Sequence, residues 1–366
     1  MANKRQKKKR AKRPGTCPLC GKPLPHDPTQ CVLGQTGQAV CTDCLQTAKR
    51  ILAIPRASDQ ETFSKDIIPP SEIIRQLDKK IIGQDQAKHA VAVALWKQQL
   101  RAGGTQLPNS GLLLYGPTGC GKTALVREAA QIVGLPFLSF DATPLTEAGY
   151  RGRNASEMVS DLVDRCGQER AAHGVIFLDE VDKLAATKAN DYRAAYSRGT
   201  QHSLLKVIEG TELQINGESF STNGILFLFG GAFSGLYKEL ESKKQHAIIG
   251  FERSVPKEEP HELTAADFIS YGMEAELMGR IHRFVPLQGL TASDFRRILL
   301  ESELSSLRGY QDLFKAYGEE LTLSDGKLDA LIQKAVERGL GARGLNALVE
   351  EWIEPELFRL SEVGRT

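Results

Sequence analysis

The run Gly116-Pro117-Thr118-Gly119-Cys120-Gly121-Lys122-Thr123 constrains the fold of this 366-residue chain more than any other stretch. It follows a short apolar run, Leu112-Leu113-Leu114-Tyr115, and opens a helical pattern over Lys122–Val133. Strand, glycine-rich turn and helix in that order are the context that the pattern G-x-x-x-x-G-K-[ST] requires. The glycines let backbone N–H groups turn inward and cradle phosphate oxygens, and the helix N-terminus beyond them favours an anion. In such a loop Lys122 reaches the outer phosphates and the hydroxyl of Thr123 holds Mg²⁺. The expected ATP contacts therefore run from Gly116 through Thr123, with Ala124 next.

The surrounding pattern alternates strand and helix. Phe137–Phe140, Val175–Leu178 and Ile225–Phe229 read as further short buried strands. Apolar runs of this kind, separated by helices, predict an α/β domain whose parallel sheet is covered on both faces. The run Val175-Ile176-Phe177-Leu178 ends in Asp179-Glu180. After a P-loop, that pair reads as one acid for the Mg²⁺ shell (Asp179) and one to polarise the attacking water (Glu180). Upstream, a short helix starts at Ser71 and a longer one spans Gln84–Leu100. Beyond Leu287 the strand signal nearly vanishes, and amphipathic helices are expected over Ala292–Leu307, Asp325–Arg338 and Ala342–Leu357. The expected division is a large α/β domain at 71–287 and a helical lid at 288–366.

Three segments precede the large domain. Residues 1–13 are basic, contain no acid and cannot bury a core, so they read as a disordered tail. Residues 14–50 form a small cysteine-rich module, and 51–70 read as a linker. Cys17-x₂-Cys20 and Cys41-x₂-Cys44 have the spacing of a Cys₄ zinc site, in which each turn aims two thiolates at one Zn²⁺ ion. So small a module lacks apolar surface, and the metal supplies folding energy, about 10–16 kcal/mol in finger peptides. A redox-active Cys-x-x-Cys pair is the alternative. Cys31 and His26 lie between the pairs as a spare thiol and a substitute ligand, whereas Cys120 and Cys166 read as inert.

The net charge of +2 conceals this asymmetry, because the chain beyond the basic tail is somewhat acidic, which argues against a surface coated with nucleic acid. No stretch reaches the roughly 20 apolar residues that span a bilayer, and the basic N-terminus has no apolar core of a secretory signal. The expectation is a cytoplasmic protein with no membrane segment, whose thiols serve metal binding or packing rather than disulfides.

Longer motifs resemble the ClpX family of AAA+ unfoldases. They are Ile82-Gly83-Gln84, the segment Asp141–Tyr150, Leu204–Thr211, Gly230-Gly231-Ala232-Phe233 and Gly341-Ala342-Arg343-Gly344-Leu345. They occur in the family's order from the cysteine module to the lid, across nearly the whole chain. The resemblance implies an ATPase that forms a homohexamer, drives protein substrates through a central pore and hands them to a ClpP-type peptidase, with adaptor proteins received by the zinc module. It implies that Ile82 and Gly83 lie against the adenine. Arg280, in Leu277-Met278-Gly279-Arg280, would be the arginine finger reaching a neighbour's nucleotide, and Arg343 the lid arginine that senses phosphate. Tyr150 and Arg151 fall at the first pore loop, and Ile249-Gly250-Phe251 at the tripeptide that docks on the peptidase.

The chain also departs from its apparent family. Met273-Glu274-Ala275-Glu276 is more acidic than usual, Arg151 replaces a small aliphatic residue, and residues 211–224 lack the basic Arg-Lys-His triplet of the pore entrance. Arg151 and Arg153 would favour acidic polypeptide segments. No Ser-His-Asp or His-Glu-x-x-His arrangement is present, so the chain is not expected to cut peptide bonds itself. The alternatives are a remodeller working without a peptidase, and a nucleic-acid-directed motor suggested by the zinc module and basic tail.

Overall fold

A computed structural model describes residues 16, 17, 20, 22, 31–33, 39–42, 44, 67–109, 111–146, 152–186, 191–237, 240, 262–339 and 341–363. The chain divides into two compact units, Met1–Glu61 and Thr62–Thr366. In the first, β1 (Cys31–Leu33) and β2 (Ala39–Cys41) form an antiparallel ribbon with Cys31 opposite Cys41.

The second unit is built on a five-stranded parallel sheet. Its strands are β3 (Gly111–Tyr115), β4 (Phe137–Asp141), β5 (Val175–Asp179), β8 (Leu226–Gly231) and β9 (Ile281–Pro286), in the spatial order β4-β5-β8-β3-β9. Side chains alternate between faces along each strand. Leu113, Tyr115, Ile176, Leu178, Phe227 and Phe229 enter one core, while Leu112, Leu114, Val175, Phe177, Leu226 and Leu228 enter the other. Continuous apolar runs are what a strand buried on both faces demands, and these four-residue runs are buried throughout. Helices α2 (Asp85–Ala102) and α3 (Lys122–Ile132), with α1 (Pro70–Leu77), cover the second core. Helices α4 (Ala155–Cys166) and α6 (Asp191–Glu209) cover the first, with the single turn α5 (Gln168–Ala171) between them.

Among the described residues of the second unit, an edge strand and a hairpin lie outside the expected set. β9 is an edge strand with the polar residues His282 and Arg283 exposed, so it lacks a continuous apolar run and acquires its strand character by pairing with β3. The second is the hairpin β6 (Glu212–Ile215) and β7 (Glu218–Ser221). Its two-residue turn is Asn216-Gly217, with φ of 54° and 86°. Both central residues at positive φ make the type I′ turn that Asn-Gly favours, a signal present in the sequence.

After the short helices α7 (Ala265–Tyr271) and α8 (Ala275–Gly279), the C-terminal part is helical. The single helix expected over Ala292–Leu307 is instead two, α9 (Ala292–Leu300) and α10 (Ser306–Ala316). Serines break it. Ser302 Oγ donates to the carbonyl of Lys80 at 2.5 Å and Ser305 Oγ to that of Leu299 at 2.7 Å. Side-chain bonds of this kind compete with the helical ladder, and the first also ties the break to residues 79–80, where Glu303 N donates to Lys79 O. Helix α11 (Asp325–Arg338) has its expected bounds. Helix α12 (Gly341–Val363) runs past Pro355 beyond the expected end at Leu357, because Ile353 and Leu360 extend one apolar stripe into the lid core. No helix among the described residues is long and apolar enough to cross a membrane.

Candidate nucleotide site

The phosphate-loop sequence bridges β3 and α3. Gly116 N donates to Gly231 O at the end of β8, so the loop leaves the sheet between two central strands. Gly116 has φ of 151°, and a side chain there would run into the carbonyl of Leu287; Gly121, immediately before α3, has φ of 101°. Both positions need glycine, one for conformation and close approach together and one for conformation. Lys122 is buried, and its ammonium donates to the carbonyls of Gly116 (2.7 Å) and Pro117 (2.9 Å). Cys120 is buried beside it, and burial raises its thiol pKa, which agrees with an inert residue.

At the end of β5 the two acids diverge. Asp179 Oδ2 accepts a short hydrogen bond from Thr123 Oγ1, and Oδ1 accepts from the backbone N–H of Glu180 at 2.9 Å. Glu180 itself sits at φ 57°, ψ 32°, left-handed backbone that a non-glycine residue adopts at a cost of order 1–3 kcal/mol. Its Oε2 accepts from Thr143 Oγ1 at 3.2 Å. Directly after it, the single turn Val181–Leu184 carries buried Asp182, whose Oδ1 accepts from Ala232 N at 3.1 Å. The carboxylates of 179 and 180 therefore point to different partners on either side of the strand end.

These residues line one cavity of about 440 Å³, together with Thr118, Gly119, Gly121, Lys122, Thr123 and Ala124 on one wall and Arg343 and Asn346 of the lid on the other. Arg343 is brought there by a backbone contact: Ala342 N donates to Gly119 O at 3.0 Å. Next to this cavity a smaller one, about 130 Å³, has mainly apolar walls from Pro117, Cys120, Leu290, Phe295 and Val336. Ile82 is buried, and Gly83 has φ of 67°. The following residue, Gln84, the third of the Ile82-Gly83-Gln84 motif, holds this region together. Its Oε1 accepts from Gln288 N (3.0 Å) while its Nε2 donates to Gln288 O (2.9 Å) and reaches Cys120 O at 3.4 Å. Arg127 and Lys183 also line the large cavity, and neither lies in a motif that would have exposed it.

Arg280 lies away from this cavity's lining, at the end of α8, where its guanidinium pairs with Glu209 at 2.5 Å. Tyr150, Arg151, Ile249, Gly250 and Phe251 lie outside the described residues.

In the first unit, the sulfurs of Cys17, Cys20, Cys41 and Cys44 all lie within 4.8 Å of one another. Cys20 and Cys41 are 3.9 Å apart, close to the edge of about 3.8 Å that a tetrahedron with Zn–S of 2.3 Å would have. The Cys44 thiol is pushed up to about 12, first by hydrogen bonding with Cys20 and then with Cys41. Crowded thiols resist losing protons unless a cation is present to hold the thiolates, and four sulfur donors with no open position suit a structural zinc ion. Cys31 stands across the ribbon from Cys41 and is not one of the four.

Comparison with known proteins agrees with this geometry. Residues 107–284 match the AAA domain (Cdc48 subfamily), and 290–365 match the C-terminal, D2-small domain of ClpB protein. The ATP-dependent Clp protease ATP-binding subunit ClpX 2 of Wolinella succinogenes is 33% identical over 94% of this chain and 91% of its own length. The ClpX subunit of Treponema denticola is 32% identical over 95% of the chain and 90% of its length, and that of Azotobacter vinelandii 32% over 94% and 86%. With a P-loop facing two acids at a strand end, a lid closing over them and relatives aligned along almost its whole length, the chain belongs to the ClpX family of ATP-dependent Clp unfoldases, an AAA+ ATPase and not itself a peptidase.

Proposed function

We propose that ATP binds in the cavity between the P-loop and the lid and that its hydrolysis drives a polypeptide through the pore of a homohexamer. The observation that carries this reading is the convergence of Lys122, Thr123, Asp179, Glu180 and Arg343 on one cavity. The loop amides from Gly116 to Thr123 would cradle the phosphates, and Lys122 would exchange its carbonyl partners for phosphate oxygens. Mg²⁺, when bound, would neutralise phosphate charge; Thr123 and Asp179, already hydrogen-bonded to each other, are the pair to hold it. Glu180 would accept a hydrogen bond from the attacking water, its place set by the strained backbone and by Thr143. Arg343 would meet the phosphates from the lid side and couple their loss to lid movement. Arg280 would act on the nucleotide of the next subunit, as finger arginines do, at about 10³–10⁵ in rate where measured in GTPases.

Tyr150 and Arg151 would contact the translocating chain. Zn²⁺ would fold the cysteine module, which would receive substrates or adaptor proteins. The Ile249-Gly250-Phe251 tripeptide would dock on a ClpP-type peptidase, an apolar pair seated in clefts of a partner ring. The relatives are themselves named Clp protease subunits, which supports this partnership.

Glu180→Gln and Lys122→Ala separate the two halves of the site. Glu180→Gln is expected to bind ATP normally and hydrolyse it at least about 10²-fold more slowly, and Lys122→Ala to lose affinity instead. Near-normal turnover in Glu180→Gln would overturn the assignment. Capture of trapped substrates by a catalytically dead ClpP-type ring, lost when Ile249–Phe251 is deleted, tests the handover. Retained protein remodelling without any docking would favour action independent of a peptidase.

A further inference from the structure

The segment that carries Arg280 is fastened along helix α6. Gln201, fully buried on that helix, uses its whole amide: Nε2 donates to Leu184 O at 2.8 Å and Gly272 O at 3.3 Å, and Oε1 accepts from Glu274 N at 2.8 Å. One residue on, His202 Nε2 lies 3.6 Å from Glu276 Oε2. Two turns further along the same helix face, Glu209 pairs with Arg280. Leu184 closes the turn that begins directly after Glu180, so α6 joins the subunit's own hydrolytic strand end to the segment ending in Arg280.

We infer that Glu209 is a positioning residue for Arg280, orienting its guanidinium for the neighbouring subunit, while Gln201 fixes the backbone of the segment that presents it. The inference rests on the reading of Arg280 as the arginine acting in trans. An arginine at the end of a short helix has many rotamers, and only a few aim the planar guanidinium at a phosphate. A carboxylate holding one edge of it removes part of that orientational cost before the neighbour arrives. Both partners of the pair are partly exposed. Solvent screening therefore keeps the grip weak enough to adjust as the guanidinium engages phosphate. Gln201 differs, because removing its buried amide takes the side-chain partner from Leu184 O and Glu274 N, while Gly272 O keeps the backbone N–H of Ala186.

The test compares Glu209→Ala, Glu209→Gln and Glu209→Asp in the full-length assembled protein, with Arg280→Ala alongside. Glu209→Ala is expected to lower kcat for ATP about threefold to fivefold with KM nearly unchanged, the size an exposed charge pair allows, and Glu209→Asp to recover part of it. Arg280→Ala is expected to lose about 10³-fold. Mixed rings separate a trans effect from a local one. Glu180→Gln subunits have an inert pocket but intact Glu209 and Arg280. Mixed in large excess with Glu209→Ala subunits, so that nearly every active pocket has a Glu180→Gln neighbour, they are expected to restore turnover per active pocket to that of the same mixture made with wild-type subunits. If Arg280→Ala is inactive while Glu209→Ala and Glu209→Gln turn over at the wild-type rate, Glu209 does not position Arg280 and the finger reading survives. Failure of the mixed rings to recover would equally overturn the positioning role. Wild-type turnover in Arg280→Ala would instead remove the trans-acting arginine and the inference with it.

Discussion

The backbone N–H of Ala342 donates to the carbonyl of Gly119 across 3.0 Å, so the first turn of the last lid helix is bonded directly to the phosphate loop. The contact is possible because Gly341, at φ 61°, has no side chain; a Cβ there would lie 2.6 Å from Gly119 O and 2.8 Å from Gly119 Cα. It sets Arg343 one residue further on, at the cavity wall. Any movement of the lid relative to the sheet must therefore pull on the loop that cradles phosphate.

Gly341→Val is accordingly expected to weaken ATP binding by about tenfold or more, since left-handed backbone alone costs a branched residue at least about 1–2 kcal/mol and the clash adds to it. The lid core formed by Leu345, Leu348 and Val349 is untouched by the substitution. Nucleotide titration beside a thermal melt reads the two effects separately. Wild-type affinity would mean that the lid can detach from Gly119 without loss.

Gln84 brackets both backbone groups of Gln288, the residue leading into the lid. Gln84→Ala leaves those groups without their side-chain partner and should destabilise the domain joint by about 1–3 kcal/mol. Gln84→Glu keeps the acceptor for Gln288 N and loses the donor, so it should fall between. The expected readout is a raised KM for ATP with a smaller change in kcat. An unchanged KM in Gln84→Ala would show that the bracket has no part in nucleotide binding.

Elemental analysis of the full chain should find one zinc ion per chain, lost in Cys17→Ser and in Cys44→Ser. Ligation requires thiolates, and the Cys44 thiol lies at about 12 without a metal. Protons therefore compete with zinc, and occupancy should fall as pH is lowered. Deleting residues 1–61, a compact unit by itself, should leave ATPase activity largely intact. Metal-free protein after careful preparation would remove the zinc assignment.

Arg151 follows Tyr150 at the expected pore loop, and six copies would place a ring of positive charge in a narrow channel, where potential is focused. Tyr150→Ala should abolish unfolding and spare basal ATPase. Arg151→Val should keep unfolding but shift preference from acidic towards neutral tails, and reduce salt sensitivity, since screening acts over about 8–10 Å. The measurement is the unfolding rate of one reporter with acidic, neutral or basic tails at two salt concentrations. An unchanged ranking in Arg151→Val would sink the charge-selection idea.

Elements whose signals are local could be read from the residues alone. The three central strands were legible because burial on both faces demands unbroken apolar runs such as Val175–Leu178, and the P-loop because Gly116, Gly121, Lys122 and Thr123 serve one chemistry at one spacing. The cysteine pairs were legible for the same reason. Edge strand β9 was not, since exposed His282 and Arg283 break its pattern and pairing with β3 completes it. The split between α9 and α10 was hidden because Ser302 finds its partner at Lys80, far away in sequence. How distant segments meet was set by the packed fold. Gln84 clasps Gln288, Gly341 packs on Gly119, and Glu209 holds Arg280. Each depends on backbone positions fixed by packing between elements. No local propensity or spacing records such a position, and so the sequence names the reacting groups while the fold sets their partners.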